Sequence, residues 1–519
     1  MSDNASLKQG ESTVPNSDRV PPSDHQSTKA EGEDVLIVDW DGHNDPENPL
    51  NWTFKQKWSA IAIVSSFTFI SPVCSSMVAP ASGVIAKQFG ITSSVVTAMI
   101  TSIFVLAYAI GPLFLGPLSE IYGRSRVLQI ANLWFLVWNL ACGFTQNTGQ
   151  LISFRFLAGL GGSAPLSIGG GFISDLFRAE ERGVAVALYT LGPLLGPIIG
   201  PIAGGWIAER STWRWVFRST TIADGVVQFF GLFFLQETYA PTLLKRRAKR
   251  IRKEMDEEKA NRMEVRTVYE TADRHWKAIF AKTMVRPFRL MALEPIIQVF
   301  GLYMAFVYGT FYIFLTTLPT IFQRLYHERI GIAGLNYLPL GIGLMLAAQL
   351  NARVLDRVYA YLKAKNGGAG RPEYRLPLLV PGSLIFPSGL LIAGWAAQKH
   401  VHWIVVDLGI GLIGASIVFI GLGVQSYVID TFTLRAASAM AAVSCLRSLA
   451  GFGFPLFAPP MYEALGFGKG NTILAGVAVL LGVPAPFLLW RYGERIRGAS
   501  KHARKLKPPQ APSPASTPP

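Results

Sequence analysis

The chain has 519 residues, half of them hydrophobic and 12% aromatic, with only 16% charged, against roughly 25% in a soluble globular chain. Its mean hydropathy is +0.32 and its formal net charge +15, with an isoelectric point near 9.7. So positive a chain suggests nucleic acid, but the Lys and Arg residues gather beside long apolar stretches, which points instead to the anionic surface of a bilayer.

Residues 1–57 are polar, contain Ser and Pro and are mostly acidic, and are expected to form a largely disordered cytoplasmic tail. No signal peptide is visible, so the first apolar span serves as the targeting element. The glycosylation sequons Asn4-Ala5-Ser6 and Asn51-Trp52-Thr53 fall in this tail and should stay unused in the cytoplasm. Trp40, Trp52 and Trp58 suggest that its last part runs along the membrane interface.

A hydrocarbon core about 30 Å thick needs about 20 apolar residues per helix, because every backbone N–H and C=O must be satisfied within the span. Twelve stretches meet that requirement, near 58–80, 94–118, 127–145, 151–174, 184–208, 214–236, 293–320, 331–351, 376–396, 402–425, 434–460 and 471–491. The expected fold is all-α and membrane-integral, twelve helices in two six-helix bundles at 58–236 and 291–491. A basic linker at 237–290 joins them, and a basic, Pro-rich tail occupies 492–519. The linker starts with a run from Lys245 to Lys253 and continues through Glu254, Asp256, Glu257 and Glu258; it can form surface helices or be a plain solvated loop.

Arg124 and Arg126, Arg178 and Arg182, Lys363 to Arg375, Arg435 and the clusters after spans six and twelve alternate with loops at 81–93, 146–150 and 397–402 that are poor in Lys and Arg. This places both termini in the cytoplasm. Cys74, Cys142 and Cys445 sit in apolar surroundings and read as small core residues, with no disulfide framework and no metal site. In span five, Gly192-Pro193, Gly196-Pro197, Gly200-Pro201 and Gly204 recur every fourth residue, which sets the glycines on one side of a helix while the prolines loosen its ladder. Such a helix suits a hinge and seal between two moving halves, or simply close packing.

Gly116-Pro117-Leu118-Ser119-Glu120-Ile121-Tyr122-Gly123-Arg124-Ser125-Arg126, between spans two and three, resembles the signature loop of the major facilitator superfamily. The resemblance implies a cytoplasmic gate built on Gly116, Glu120, Gly123, Arg124 and Arg126; Glu120 stands where the family usually has Asp. Arg155-Phe156-Leu157-Ala158-Gly159 looks like the family's second signature, and the Gly192–Gly205 segment like the motif of its proton-coupled exporters. A weaker echo, 351–357, ends in Asp356 and Arg357 after span eight. Asp39-Trp40-Asp41-Gly42, Trp213-Arg214-Trp215-Val216-Phe217 and Arg371-Pro372-Glu373-Tyr374-Arg375 resemble the fungal twelve-helix drug:proton antiporters. That group implies a proton-driven exporter of drugs, toxins or polyamines, in the plasma membrane or else a vacuolar or vesicular one.

The residues expected to carry coupling are Arg155, Asp224, Asp407 and Glu294, since a charge inside a span is costly unless it has work or a partner. Arg155 could modulate a proton carrier, hold an anionic group, or snorkel to the helix end. Asp224 is the best-placed acid of the first half; the alternatives are a cap on span seven for Glu294 and a structural partner for Asp407. In span seven, Tyr303, Tyr308, Phe311 and Tyr312 are expected to wall a substrate cavity, with Asn336, Gln349 and Gln425 as further polar contacts, although phenylalanines there could equally face lipid. No phosphate-cradling Gly-rich loop supports an ATP-driven pump, and two different halves argue against a channel. The expectation is a non-enzymatic monomer in the lipid bilayer. It would use no cofactor beyond a proton gradient, would not bind nucleic acid, and would export a hydrophobic, aromatic metabolite or xenobiotic; polyamine export, uniport and import are the alternatives.

Overall fold

The computed structural model describes residues 34–255, 263–269 and 276–500, apart from 43, 179–180 and 368–369. The sequon at Asn4, most of the acidic tail, the acids 256–258 and the basic residues beyond 500 lie outside the described residues.

The first bundle comprises α1 (Phe54–Ser76), the short α2 (Ser82–Phe89), α3 (Ser94–Tyr122), α4 (Arg124–Cys142), α5 (Thr148–Gly162) with α6 (Ala164–Leu176), α7 (Gly183–Arg210) and α8 (Arg214–Phe234). Each entry is fixed locally. Thr53 caps α1 in a reciprocal box with Gln56, Ser93 caps α3 and Asn147 caps α5, each accepting one of the orphan N–H groups of a helix start. Helices α5 and α6 form one crossing, broken at Ser163 just before Pro165, which supplies no N–H to the ladder.

Helix α9 (Ala240–Glu254) and α10 (Trp276–Leu293) lead to the second bundle: α11 (Pro295–Thr320), the short α12 (Ile330–Leu335), α13 (Leu338–Lys365), α14 (Leu379–Gln398), α15 (Trp403–Thr431), α16 (Ala436–Gly482) and α17 (Pro484–Ala499). The continuous run α16 is two helices meeting at Gly466, whose φ of 75° no side chain with a Cβ adopts cheaply. The eleventh crossing therefore ends there, and the twelfth continues through Val483 into α17.

Nine helical stretches of the described residues are both long and apolar enough to cross a bilayer, the last of them, Ala436–Gly498, covering two crossings. The remaining two crossings are α4 and α8, which fall short on hydropathy because they carry polar side chains turned toward each other. Asn139 donates to the Phe217 carbonyl and to the hydroxyls of Thr220 and Thr221, and Asn132 donates to Asp224 and Gln228. Counting them, the fold is the expected twelve-helix, two-bundle one.

Among the described residues, 34–40, 244–255 and 263–269 belong to a separate small unit. Within it, strands β1 (Asp34–Val38) and β2 (Met263–Thr267) pair in parallel, from Asp34 opposite Met263 to Val38 opposite Thr267. The end of the acidic tail, expected to be disordered, is thus extended and hydrogen-bonded to the linker. Within DVLIV, Val35, Ile37 and Val38 have the β-branched side chains that favour this geometry.

Candidate substrate pathway and coupling site

A cavity of about 860 Å3 opens at the end of the bundles opposite the basic loops, between residues of α2 and α3 on one side and α11, the segment after it and the 459–467 stretch on the other. Its volume suits a small organic molecule. Its wall is rich in hydroxyls, with Thr97 and Thr101 of α3 and Thr316, Thr317 and Thr320 of α11, and includes Glu328.

Arg155 is bonded to Thr101 of the cavity wall and is 1% exposed. Its guanidinium donates to the carbonyls of Cys74 (3.2 Å), Ser75 (2.9 Å) and Thr101 (3.4 Å), and stacks over Phe104 at 5.1 Å and Phe217 at 5.8 Å. Cys74 and Ser75 belong to the last turn of α1, where carbonyls lack helical partners and the helix dipole is negative. Arg155 therefore caps α1 and ties it to α3. It does not snorkel, and no carboxylate of the described residues pairs with it.

Asp224 is fully buried on the α4-facing side of α8. Asn132 Nδ2 donates to both of its oxygens, at 3.2 and 3.0 Å, and to Gln228 Oε1 at 2.9 Å. A carboxylate held by an amide alone keeps a ligand whether or not it carries a proton.

Asp407, in the second turn of α15, is 6% exposed with Oδ1 unpartnered. Glu328, which the sequence reading passed over, sits near it and accepts from Asn336 Nδ2 at 2.7 Å. Burial pushes the Glu328 carboxyl above its ordinary value, with the Asn336 amide opposing. Tyr326 has its phenol raised by burial, then by the charges of Asp407 and Glu328. Asn336 thus holds a cavity carboxylate and does not itself line the cavity.

Glu294 is buried at the opposite end, accepting from Ser500 Oγ at 2.6 Å; although it occupies the N-cap position of α11, its side chain makes no cap bond. This joins the start of span seven to the end of span twelve, far from the cavity.

The aromatic wall of span seven is also differently used. Tyr303, Phe311 and Tyr312 are buried in the helix core, and Tyr303 bonds Ser383 at 2.9 Å. Tyr308 is half-buried, with its ring 5.2 Å from Tyr312 and 5.9 Å from Phe311. All four lie below the threonine-lined cavity. Gln349 falls on the exposed face of α13 with Ile342, Met345, Leu346 and Leu350, and Gln425 on that of α15 with Leu422 and Ile429, so neither reaches the cavity.

At the basic-loop end, Glu120 and Arg126 of the signature loop are exposed. The ion pair there joins Arg124 to Asp175, at the end of α6. The Arg124 guanidinium also lies 4.9 Å over Tyr239, and its backbone N–H donates to Glu237 Oε1 at 2.9 Å. Gly123 has φ of 100°, and a Cβ on it would stand 2.1 Å from Glu237 Oε2. The glycine is required both by the backbone and by the carboxylate that caps α4. Gly116 has open space around it. In the second half Arg375 pairs with Asp430 at 3.2 Å and Asp356 at 3.0 Å, while Arg357 is exposed. Arg375 enters the third helix of its half and Asp430 ends the fourth, as Arg124 and Asp175 do in the first. The echo loop contributes Asp356, but its basic member comes from further along the chain.

The glycines of α7 pack inside the first bundle. Added Cβ atoms at Gly192, Gly196, Gly200 and Gly204 would meet the α1 segment from Thr68 to Met77, at 2.0 Å from the Met77 carbonyl in the case of Gly204. Pro193, Pro197 and Pro201 lie within this helix. Contact with the other half comes from the flank: Gly205 approaches Ile330, and the Pro201 carbonyl and Ile202 lie against Gly334. The ridge expected between the halves is thus mainly a seam between spans one and five.

Two bundles enclosing a polar cavity, with charged side chains held deep in the spans, define an integral membrane transporter. The family model for the Major Facilitator Superfamily matches residues 64–455. The chain belongs to the major facilitator superfamily. It is 48% identical over 470 residues to the efflux pump vrtL of Penicillium aethiopicum, covering 91% of this chain and 92% of that one. It is 43% identical to the MFS-type transporter penM of Penicillium rubens, over 90% of this chain and 91% of the relative. The inward-open xylose transporter XylE from E. coli shares the fold, with a TM-score of 0.61 at 16% identity over 84% of this chain and 96% of that structure. The protein is a membrane transporter and not an enzyme.

Arg447 was not singled out from the sequence, nor were Glu328, Asn132 and Asp175. An arginine deep in an apolar span is the same signal that marked Arg155. The others are polar residues whose meaning depends on a partner from another helix.

Proposed function

We propose that the protein is a proton-coupled antiporter that exports a hydrophobic small molecule, a fungal secondary metabolite, toxin or xenobiotic. The observation that carries this is Asp224, a carboxylate buried completely, hydrogen-bonded by a neutral amide and paired with no cation among the described residues. Such a group can take up and release a proton without breaking an ion pair. Asp407 and Glu328 supply a second acidic position beside the cavity, and relatives named as efflux pumps support outward movement of the substrate. Protons moving inward would drive release at the outer face. The carrier works as a monomer in the plasma membrane with both termini in the cytoplasm, a placement that the basic loops support.

The test is gradient-driven transport in proteoliposomes. Asp224→Asn should bind substrate yet lose accumulation against a gradient when a pH difference is imposed. Undiminished pH-driven accumulation by that variant at equal protein content would remove Asp224 from coupling.

A further inference from the structure

Arg447 lies in the eleventh crossing, about 16 Å along the helix from Ala436 at 1.5 Å per residue, near the middle of the bilayer. It occupies the same face as Gly451 one turn later, where an added Cβ would stand 3.1 Å from Val105 of the first half and 3.2 Å from both Tyr308 and Tyr312 of the second. Arg447 is therefore at the line where the two halves meet, close beneath the cavity. Its guanidinium lies 4.9 Å over the half-buried Tyr308 ring, and its Nε is buried with no partner. No hydrogen bond or ion pair to a described residue accompanies that stacking.

The contrast with Arg155 is informative. Arg155, whose Nε is likewise unpartnered, spends its two terminal nitrogens on three main-chain carbonyls and has a structural place. Arg447 has the same five donors but is only half-buried, with its Nε enclosed and a ring face the described group that its guanidinium meets. A guanidinium is built to grip a planar anion with two parallel hydrogen bonds, and it does so most strongly out of water. Beside it the half-buried Tyr308 offers a ring face backed by the buried Phe311 and Tyr312, and Ser71 and Tyr108 lie across the interface, hydroxyl to hydroxyl at 2.7 Å.

We propose that Arg447 is the anion anchor of the substrate site, binding a carboxylate or ionised phenol carried on an aromatic body that packs against Tyr308. This deepens the export reading and rests on it for its physiological meaning: the cargo is an aromatic acid, and neither a neutral hydrocarbon nor a polyamine fits the site.

The experiment uses the full-length purified protein in lipid nanodiscs and calorimetric titration with matched pairs: 2-naphthoate and its methyl ester, and anthracene-9-carboxylate and its methyl ester. The acids should bind at least about tenfold more tightly than the esters, the scale of a charge-assisted bidentate contact. Arg447→Gln should weaken the acids to the level of the esters without altering the esters, and Arg447→Lys should retain part of the preference. The unchanged ester affinity serves as the fold control. Equal affinity of acid and ester, no binding by either acid, or equal weakening of both by Arg447→Gln would each overturn the proposal. Export under an imposed pH gradient is measured separately. Esters moved outward with no acid preference would retain the transport reading and remove the anchor; acids bound through Arg447 but not moved would do the reverse.

Discussion

Arg155 and Arg447 show how little a residue type says without its partners. Both are arginines deep in apolar helices, yet the terminal nitrogens of one are held by the carbonyls of α1 and α3 while the other faces an aromatic ring. Replacing Arg155 by alanine uncaps the end of α1, and a loss of about 1–3 kcal/mol is expected for buried bonds of this kind. Arg155→Lys should recover part of it. Thermal unfolding of the purified variants measures both, and an Arg155→Ala protein as stable as the parent would show that the cap contributes nothing. Glu328 gives a pH signature. Because burial raises its carboxyl in the folded protein, the folded state holds the proton to higher pH than the unfolded one does. Stability contributed by the protonated form is present at low pH and declines as pH climbs from about 4.3, the ordinary glutamate value, to the raised one. Glu328→Gln should flatten the melting temperature across that window, and an unaltered profile would count against the assignment. Asp224 was legible from the sequence as an acid in a span; its amide partner was not, because Asn132 lies in a different helix with no local mark of the pairing.

At the scale of elements, α7 and the α4–α8 pair hold the first bundle together by opposite means. Helix α7 removes side chains so that its backbone touches α1, whereas α4 and α8 keep polar side chains and satisfy them against each other. In lipid there is no hydrophobic drive to bring helices together, so close packing and interhelical hydrogen bonds take its place. A Gly204→Ala substitution would force a Cβ to within 2.0 Å of the Met77 carbonyl, which only a backbone shift can relieve. It should cost about 1–3 kcal/mol, as overpacking does, while Gly116→Ala, which meets nothing, should leave stability unchanged or slightly raised. Comparing their yields and melting temperatures in the same detergent decides this, and equal loss from both would mean that the ridge is not the cause. The interval of four made the ridge readable in advance. Which helix it met was not, since a ridge of glycine is complementary to any smooth partner.

Across the whole molecule, the two halves repeat an ion pair that their sequences do not repeat. Arg124 with Asp175 and Arg375 with Asp430 join the third and fourth helices of each half at the same end. The signature loop displays Arg124 openly, whereas its second-half counterpart is displaced from the echo loop to the entry of the ninth crossing. Since the pairs lie in different bundles, Arg124→Gln and Arg375→Gln should act independently on stability, adding within about 0.5 kcal/mol. Their effects on transport rate should be more than additive if both loosen the same closed end. Stability and uptake of the single and double variants in parallel measure this; strong coupling in stability would place the pairs in one network.

By itself the sequence determined the number of crossings, their grouping, the basic side and the family, because each of these is written in local terms: twenty apolar residues, a run of Lys and Arg, a glycine spaced by four, a short motif. Tertiary structure alone decided what the charged residues do. Whether an arginine caps a helix or waits for an anion, and whether a tyrosine lines a cavity or fills a core, depends on which side chains from distant helices come within about 3 Å for a hydrogen bond or about 5 Å for a stacked ring. Those distances are set by how twelve helices pack, and no single segment contains them.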